Sequence, residues 1–229
     1  MYICALTLNM FKHIKMKKFS FIALIALFSA ACSQETVETT EAQEVAQGGQ
    51  SWTVDVVNSQ IEWYGHKPFV ENYGHRGTLA VIEGNLGVTD GKVVSGRFIL
   101  DMNSIECSDS DLPQEKKDYL VSHLKGEDFF DVGVYPTASF EITSMDQPKS
   151  GSGQVSIAGN LTIKGITKNI VFDANVEVTD SKVTLSAPSF KIDRKEWGIT
   201  YKSSGITSLA KDELIADDLG ISFEVQAKP

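Results

Sequence analysis

Two consecutive runs of alternating residues between positions 153 and 178 constrain the fold more than any other feature of this chain. Every second position is apolar or glycine, at Val155, Ile157, Gly159, Leu161 and Ile163 and again at Ile170, Phe172, Ala174, Val176 and Val178. Successive side chains of a β-strand point to opposite faces, so each run places an apolar row on one face and a mostly polar row on the other. The two runs therefore predict a hairpin in an antiparallel sheet with one apolar and one solvent-facing side.

The same alternation continues on both sides of this hairpin and predicts about eight strands in all. Further strands are expected at 52–57, 60–66, 77–88, 94–102, 138–142, 183–192 and 221–227. We expect Asn58-Ser59 to form the turn between the first two strands, and Asp90-Gly91 is a hairpin signal. A phase slip at Glu83-Gly84 predicts a β-bulge, and a second slip falls at Pro188. Regularly spaced antiparallel strands favour an all-β barrel or sandwich.

One insertion breaks the alternation. Residues 113–124 (PQEKKDYLVSHL) have helical character, and Pro113 suits the first turn of a helix after Asp111. The loop that follows, 126–136, carries Phe129 and Phe130, whose apolar side chains are expected to be buried.

The N-terminal region is expected to lie outside the folded domain. A basic start at Met16 and an apolar run before Cys32 predict a secretory signal over 1–31, in which 1–15 are an upstream extension or a long basic leader. Cys32 resembles the lipidated cysteine of bacterial lipoproteins, and ordinary cleavage that leaves a free thiol is the alternative. The segment that follows, up to residue 50, has four glutamates, no basic residue and no aromatic residue. This composition predicts a disordered acidic tether over 32–50 that spans about 25 Å, and a barrel domain over 51–229.

Charge and cysteine content exclude some functions. The net charge of −9 becomes −13 when residues 1–31, with four lysines and no acid, are removed. So acidic a chain is a poor nucleic-acid binder, and no nucleic-acid partner is expected. If Cys32 carries lipid, Cys107 has no partner for a disulfide. Cys107 is then expected to be a small residue at a strand end, with a reactive thiol as the alternative.

Metal and catalytic motifs are weak in this sequence. His66, His75 and His123 do not fall at metal-ligand spacings from other candidate ligands, although they can converge in space. Asp109 and Asp111 lack the glycine and the distal glutamate of a calcium loop. We therefore expect no metal site and no cofactor.

Acyl-transfer chemistry has no support either, because Ser104 and Ser108 lack the glycines of a nucleophile elbow. Arg194, after a strand end, is expected to pair with a nearby acid, and a clamp on an anionic head group is the alternative. The chain is therefore not expected to be an enzyme, and the apolar face becomes the functional hypothesis. The ligand-binding, inward-facing residues expected from strand phase are Phe98, Leu100, Phe140, Leu161, Phe172, Val176, Phe190 and Ile192, with Thr162, Asp173 and Glu177 facing solvent.

The chain carries four separate motifs: HLKGEDFFDVGVYPTASFEIT at 123–143, NLTIKGITKNIVF at 160–172, IDRKEWGITY at 192–201 and the Ser104-Ile105 step. Together these motifs resemble those of the YceI-like proteins. The resemblance runs from about Trp52 to Ala227. It implies an eight-stranded antiparallel lipocalin-like barrel, exported to the bacterial envelope, that holds a long polyisoprenoid without catalysis.

The resulting functional prediction is binding of a polyisoprenoid or isoprenoid quinone in the lumen, as a carrier, reservoir or sensor. The isoprenoid lipid is the expected partner, and the Cys32 lipid is the expected contact with the membrane. The protein would be a periplasmic-facing or surface lipoprotein of the bacterial cell envelope. Two alternatives remain: a scaffold lipoprotein whose lumen is packed with side chains, and an enzyme acting on isoprenoid head groups.

Overall fold

The computed structural model of the chain describes residues 36–146 and 153–229. The predicted signal segment and Cys32 lie outside the described residues, so both stay predictions. The strands, in chain order, are β1 Thr39–Glu41, β2 Gln50–Val54, β3 Gln60–His66, β4 Gly74–Thr89, β5 Lys92–Cys107, β6 Thr137–Met145, β7 Gln154–Ile163, β8 Ile166–Val178, β9 Val183–Asp193 and β10 Asp218–Lys228. The single α-helix of the described residues, α1, spans Gln114–Lys125, and 3₁₀ turns cover Arg194–Trp197 and Lys211–Glu213.

Eight strand positions close into an antiparallel barrel, as the sequence predicts. Strands β3 to β10 pair with their neighbours in chain order, and β10 returns to pair with β3. In the opening hairpin, β7 and β8 pair along their lengths, and Lys164 and Gly165 take up the left-handed conformation of a tight turn. The inward rows of both strands are buried or partly buried. An all-β barrel with a short helical insertion is therefore confirmed.

Strands β2 and β3 share one position in this barrel. Thr53 of β2 lies opposite Asn85 of β4, and Ile61 of β3 lies opposite Leu79 of the same strand. Both segments also pair with β10. A turn is present at the predicted place, where the Asn58 N–H donates to the Asp55 carbonyl at 3.1 Å. Because β2 and β3 both run antiparallel to β4, residues 55–59 interrupt one strand position and the chain keeps its direction.

The predicted irregularities bend the sheet where the phase slips. The β4–β5 register shifts between Val81 and Glu83, next to the predicted bulge. The β9–β10 register shifts between Ile221 and Phe223, opposite the slip at Pro188. Helix α1 begins one residue after Pro113 and lies against β5, and Phe129 behind it is buried.

Residues 36–50 do not form a disordered tether. This segment, hereafter the strap, begins beside β9, where the Val37 N–H donates to the Lys191 carbonyl at 2.7 Å. Its strand β1 then pairs antiparallel with 168–170 of β8. The prediction of disorder is wrong for 36–50. Strand edges and outward polar side chains satisfy the backbone of the strap, and Val37 packs against the hydrophobic core.

Beyond β1 the strap crosses the outside of the barrel. The Asn160 side chain accepts from the Gln43 N–H at 2.9 Å and donates to the Gln43 carbonyl at 2.8 Å. The Ala46 N–H donates to the Ile142 carbonyl at 2.9 Å. Near the start of β2, the Ser95 hydroxyl donates to the Gly48 carbonyl at 2.8 Å.

The barrel has two unlike halves along its axis. The closed half contains the β4–β5 hairpin, and its inward side chains are almost completely buried, among them Leu86, Ile142, Ile157 and Val183. The open half contains α1 and the loops that follow β3, β5 and β9, and its inward side chains surround a cavity.

Candidate functional site

The cavity of the open half has a volume of about 550 Å³ and a largely apolar lining. Six of the eight residues predicted to bind ligand line it: Phe98, Leu100, Phe140, Leu161, Phe172 and Phe190. The other two do not line it, since Val176 is partly buried toward the closed half and Ile192 is fully buried. Contact of any of the eight with a ligand stays a prediction.

The predicted strand phase holds on β8. Phe172 is 5% exposed, whereas Asp173 and Glu177 are exposed on the outer face. Thr162 also faces outward, but its side chain is only partly exposed. Its hydroxyl is hydrogen-bonded to that of Thr167 at 2.8 Å.

A chain of phenylalanine rings forms much of the cavity wall. Phe98 contacts Phe140, with ring centres 6.5 Å apart, and Phe140 contacts Phe172 at 5.6 Å. Phe172 lies parallel to Phe190 at 4.4 Å and meets Phe223 edge to face at 5.8 Å. Such aromatic pairs add specific packing energy to the apolar burial of each ring. This phenylalanine cluster offers a ligand apolar contact and no reactive group.

Histidines gather at the mouth of the cavity although their sequence spacing shows no motif. His66, His75 and His123 all line the open end, each from a different segment. The Nε2 atoms of His66 and His123 lie 3.9 Å from Asp218 and 3.1 Å from Asp128, respectively. Sequence reasoning missed this grouping because chain closure, and not local spacing, brings the three together.

Asp109 is hydrogen-bonded to one of the histidines of the mouth. Its Oδ2 lies 2.7 Å from Nδ1 of His75, and its Oδ1 accepts from the Arg76 N–H at 3.2 Å. Burial raises the pKa of Asp109, but these hydrogen bonds outweigh burial and leave the pKa below its usual value.

Cys107 ends β5, as predicted, and its thiol lies 3.5 Å from the Asp109 carboxylate. Burial is the main cause that raises the pKa of this thiol, and the nearby carboxylate adds to it. A raised pKa leaves little thiolate at neutral pH, so the arrangement does not favour a reactive cysteine.

Arg194 closes the open end from inside the fold. Its guanidinium is 5% exposed and donates to the carbonyls of Ala216 at 2.9 Å, Ile199 at 2.7 Å, Tyr201 at 2.9 Å and Ile215 at 3.3 Å. Asp217 lies 3.6 Å away. The expected ion pair is therefore present, but backbone carbonyls are the main partners. Because most N–H groups of the side chain are bonded within the protein, the alternative clamp on a ligand is not supported.

Two buried nitrogen atoms at this end are unpaired. Nε1 of Trp63 and Nδ1 of His66 have no hydrogen-bond partner in the described residues, and both side chains line the cavity. By contrast, Nε1 of the fully buried Trp197 donates to the Leu161 carbonyl at 3.1 Å. An unpaired buried N–H is costly and usually finds an acceptor. Trp63 lies two residues after Ile61 on β3, so both side chains point to the same face of the strand. This alternation was the only sequence signal that Trp63 lines the lumen.

Residues 36–146 and 153–229 contain no group of three or more His, Cys, Asp or Glu side chains that could hold a metal ion. Within the same ranges, no helix combines the length and the apolarity needed to cross a membrane.

The fold resembles two solved structures at low sequence identity. BcnA of Burkholderia cenocepacia aligns over 76% of this chain and 99% of its own, with a TM-score of 0.59 and 19% identity. A polyisoprenoid binding domain from Saccharophagus degradans, implicated in plant cell wall breakdown, aligns over 77% and 97%, with a TM-score of 0.56 and 13% identity. At this identity the likeness concerns the fold alone.

Sequence comparison identifies the family. A UPF0312 protein of Shewanella oneidensis is 40% identical over 53 residues, which are 23% of this chain and 27% of that protein. The aligned part thus spans about a quarter of this curated relative. The YceI-like domain, however, matches residues 52–227, which include β3 to β9 and all but the last residue of β10. The chain therefore belongs to the YceI-like domain family.

Proposed function

We propose that this barrel binds a long isoprenoid lipid in its lumen, as a carrier, reservoir or sensor, and that it performs no catalysis. The observation that carries the proposal is the apolar cavity of about 550 Å³. Sites for small molecules usually measure about 300–1,000 Å³ and combine apolar walls with a few polar groups. The similarity in fold to a structure described as a polyisoprenoid binding domain supports the same ligand class. A scaffold with a packed lumen does not fit a hollow open half.

The energetics favour exchange with a membrane over uptake from water. At about 0.8 kcal/mol per buried CH₂, a tail of roughly forty carbons would gain on the order of 30 kcal/mol on leaving water. This exceeds the strongest known non-covalent affinities. When the tail moves from a bilayer into the barrel, it is shielded from water in both places. The hydrophobic free energies of the tail in the bilayer and in the lumen therefore nearly cancel. The apolar lumen should therefore select chain shape more strongly than head group.

A membrane anchor at Cys32 would place the barrel beside its lipid source, and we propose that the protein is a lipoprotein of the bacterial cell envelope. Two or more acyl chains give stable anchoring where one chain is marginal. Replacing Cys32 by alanine should release the protein from washed membranes, measured by fractionation. An unchanged distribution would contradict the anchor and leave the lumen proposal untouched.

Organic extraction of the purified full-length protein followed by mass spectrometry tests ligand binding directly. We expect a prenyl lipid, such as a quinone or a polyprenol, in extracts of well-folded protein. Extracts that repeatedly contain none, together with failure of added prenyl lipid to bind, would contradict the proposal.

A pair of substitutions on β8 separates the lumen from the surface. Phe172→Glu places an unpaired charge in the apolar cavity at a cost of several kcal/mol and should prevent ligand retention. Asn175→Glu is the matched control, because Asn175 is exposed on the outer face of the same strand and lines neither cavity. Lipid content is measured for both variants, with circular dichroism as the test of folding. Equal lipid in two folded variants would contradict binding in the lumen.

A further inference from the structure

The wall of the barrel is weakest between β8 and β9. Only 175–178 of β8 pair with β9, the shortest ladder between neighbouring barrel strands of the described residues. At Pro188 the register of β9 slips, and the strand continues beside β10. Among the described residues, no backbone pairing joins 171–174 to 187–190. We call this unpaired stretch the seam.

The strap closes the end of the seam nearest the cavity mouth. Val37 bonds to Lys191 of β9, while β1 pairs with 168–170 of β8. The strap thus lies between the two strands where they separate. A three-residue strand that pairs with one neighbouring strand only is the kind of element that opens locally at low cost.

Two aromatic rings close the middle of the seam. Phe172 and Phe190 stack across it with parallel planes and ring centres 4.4 Å apart. Both rings line the lumen, and both also line a second, more open cavity of about 370 Å³ on the other side. The rest of the outer cavity is lined by the apolar residues Val37, Val171 and Pro188 and by the polar residues Gln154, Ser156, Asp173 and Ser189. Phe172 and Phe190 are the residues that the two linings share, and rotation of their rings breaks no hydrogen bond.

The contacts that hold the strap in place lie outside the lumen. The Asn160 side chain makes two hydrogen bonds to the backbone of Gln43, and Asn169 supports it by donating to Asn160 Oδ1 at 3.1 Å. Lys168 and Glu41 form an ion pair at 2.8 Å. Such surface ion pairs contribute little. The Asn160 amide is therefore the main side-chain anchor of the strap.

We propose that the seam is a lateral portal through which the apolar isoprenoid tail enters and leaves the lumen, with the strap as its latch. This inference rests on the proposed function. A flexible hydrocarbon tail can pass between two rings that part, and the outer cavity would hold the tail during passage. The polar end of the ligand would stay at the histidine-lined mouth.

Exchange kinetics of the full-length protein test the latch. A fluorescent polyprenol bound to the protein is mixed with phosphatidylcholine vesicles, and its rates of release and uptake are measured. Asn160→Ala removes two hydrogen bonds from the strap without touching the lumen, so both rates should rise about tenfold while Kd changes less than about twofold. Asn175→Ala is the matched control, because Asn175 is exposed on β8 beyond the strap. It should exchange at the wild-type rate.

A second pair of variants tests the ring partition. Phe190→Ala should speed both uptake and release because it removes one ring of the stack. Phe98→Ala removes a ring of the same phenylalanine cluster away from the seam, and it should weaken binding without speeding uptake. If Asn160→Ala and Phe190→Ala both exchange at the wild-type rate, the mouth is the route and the portal is refuted. Wild-type protein that takes up no polyprenol refutes the proposed function together with the portal, so the two failures are distinguishable.

Discussion

The closed and open halves of the barrel are built from the same strands with the same alternation, yet one is solid and the other hollow. Two inward glycines show how the difference arises. In the closed half, a Cβ on Gly96 would lie 2.8 Å from Leu86 and 2.9 Å from Ile142, so the missing side chain lets these two reach the barrel centre. In the open half, a Cβ on Gly159 would lie 2.1 Å from the Phe140 ring, so this ring lies flat against the wall.

The comparison teaches that strand phase and lumen content are separate properties. Phase decides which side chains point inward. Whether they meet across the barrel depends on their size and on which positions lack a side chain. The open half also depends on polar contacts, because Arg194 and its carbonyl partners hold the mouth where apolar filling is missing.

The largest expected effect is on the free energy of unfolding, and a matched pair of leucines tests it. Leu86 is fully buried in the closed half, whereas Leu100 borders the cavity. We expect Leu86→Ala to lower the free energy of unfolding by about 3 kcal/mol, and Leu100→Ala by about 1 kcal/mol, because a new cavity costs energy only where space was filled. Urea denaturation measures both. Equal losses would break the distinction between a solid and a hollow half.

We expect a smaller loss of stability when the polar contacts that close the mouth are removed. Burial raises the pKa of Asp217, but hydrogen bonds from Ser204 and Ser203 and the Lys195 ammonium outweigh it and hold the pKa at about 2. A depressed pKa stabilises the fold above the unfolded value of 3.8, and this contribution is lost as pH falls toward about 2. The shift corresponds to about 2 kcal/mol.

Asp217→Asn should therefore cost about 2 kcal/mol at pH 7, and the difference from wild type should shrink near pH 2. Denaturant titrations at the two pH values measure it. Asp173→Asn, at an exposed position on the outer face of β8, is the control and should cost little. A difference that does not change with pH would show that charge at Asp217 does not stabilise the open half.

The smallest expected effect is on ligand affinity, and it tests whether the open half forms a hydrogen bond to the ligand. If the unpaired Trp63 N–H donates to an oxygen atom of the ligand, Trp63→Phe should weaken binding of an oxygenated isoprenoid about fivefold. Binding of a hydrocarbon such as squalene should stay unchanged. Direct titration with both ligands measures the ratio of affinities. An equal loss for both would mean that the indole contributes packing alone.

Much of the fold could be predicted because it depends on local alternation. The faces of β7 and β8, the turn at Asp90-Gly91 and the helix near 114–125 all follow from residue order over a few positions. The shared position of β2 and β3 does not, because alternation carries no information about which strands become neighbours.

The strap and the mouth escaped prediction for a different reason. The partner of Gln43 is Asn160, 117 residues along the chain, and the composition of the strap is typical of disorder. The mouth likewise combines histidines from separate loops. At both places long-range contacts, which single-sequence patterns do not record, outweigh local composition.

The course of the strap also limits the reach of the chain. A flexible tether of 18 residues would hold the barrel at a typical distance of about 25 Å from an anchor. The chain is instead fixed beside β9 from Thr36, four residues after Cys32. Four residues span at most about 14 Å when fully extended. A lipid on Cys32 would therefore be joined to the barrel by a short linker at β9, and the strap would add nothing to the reach of the chain.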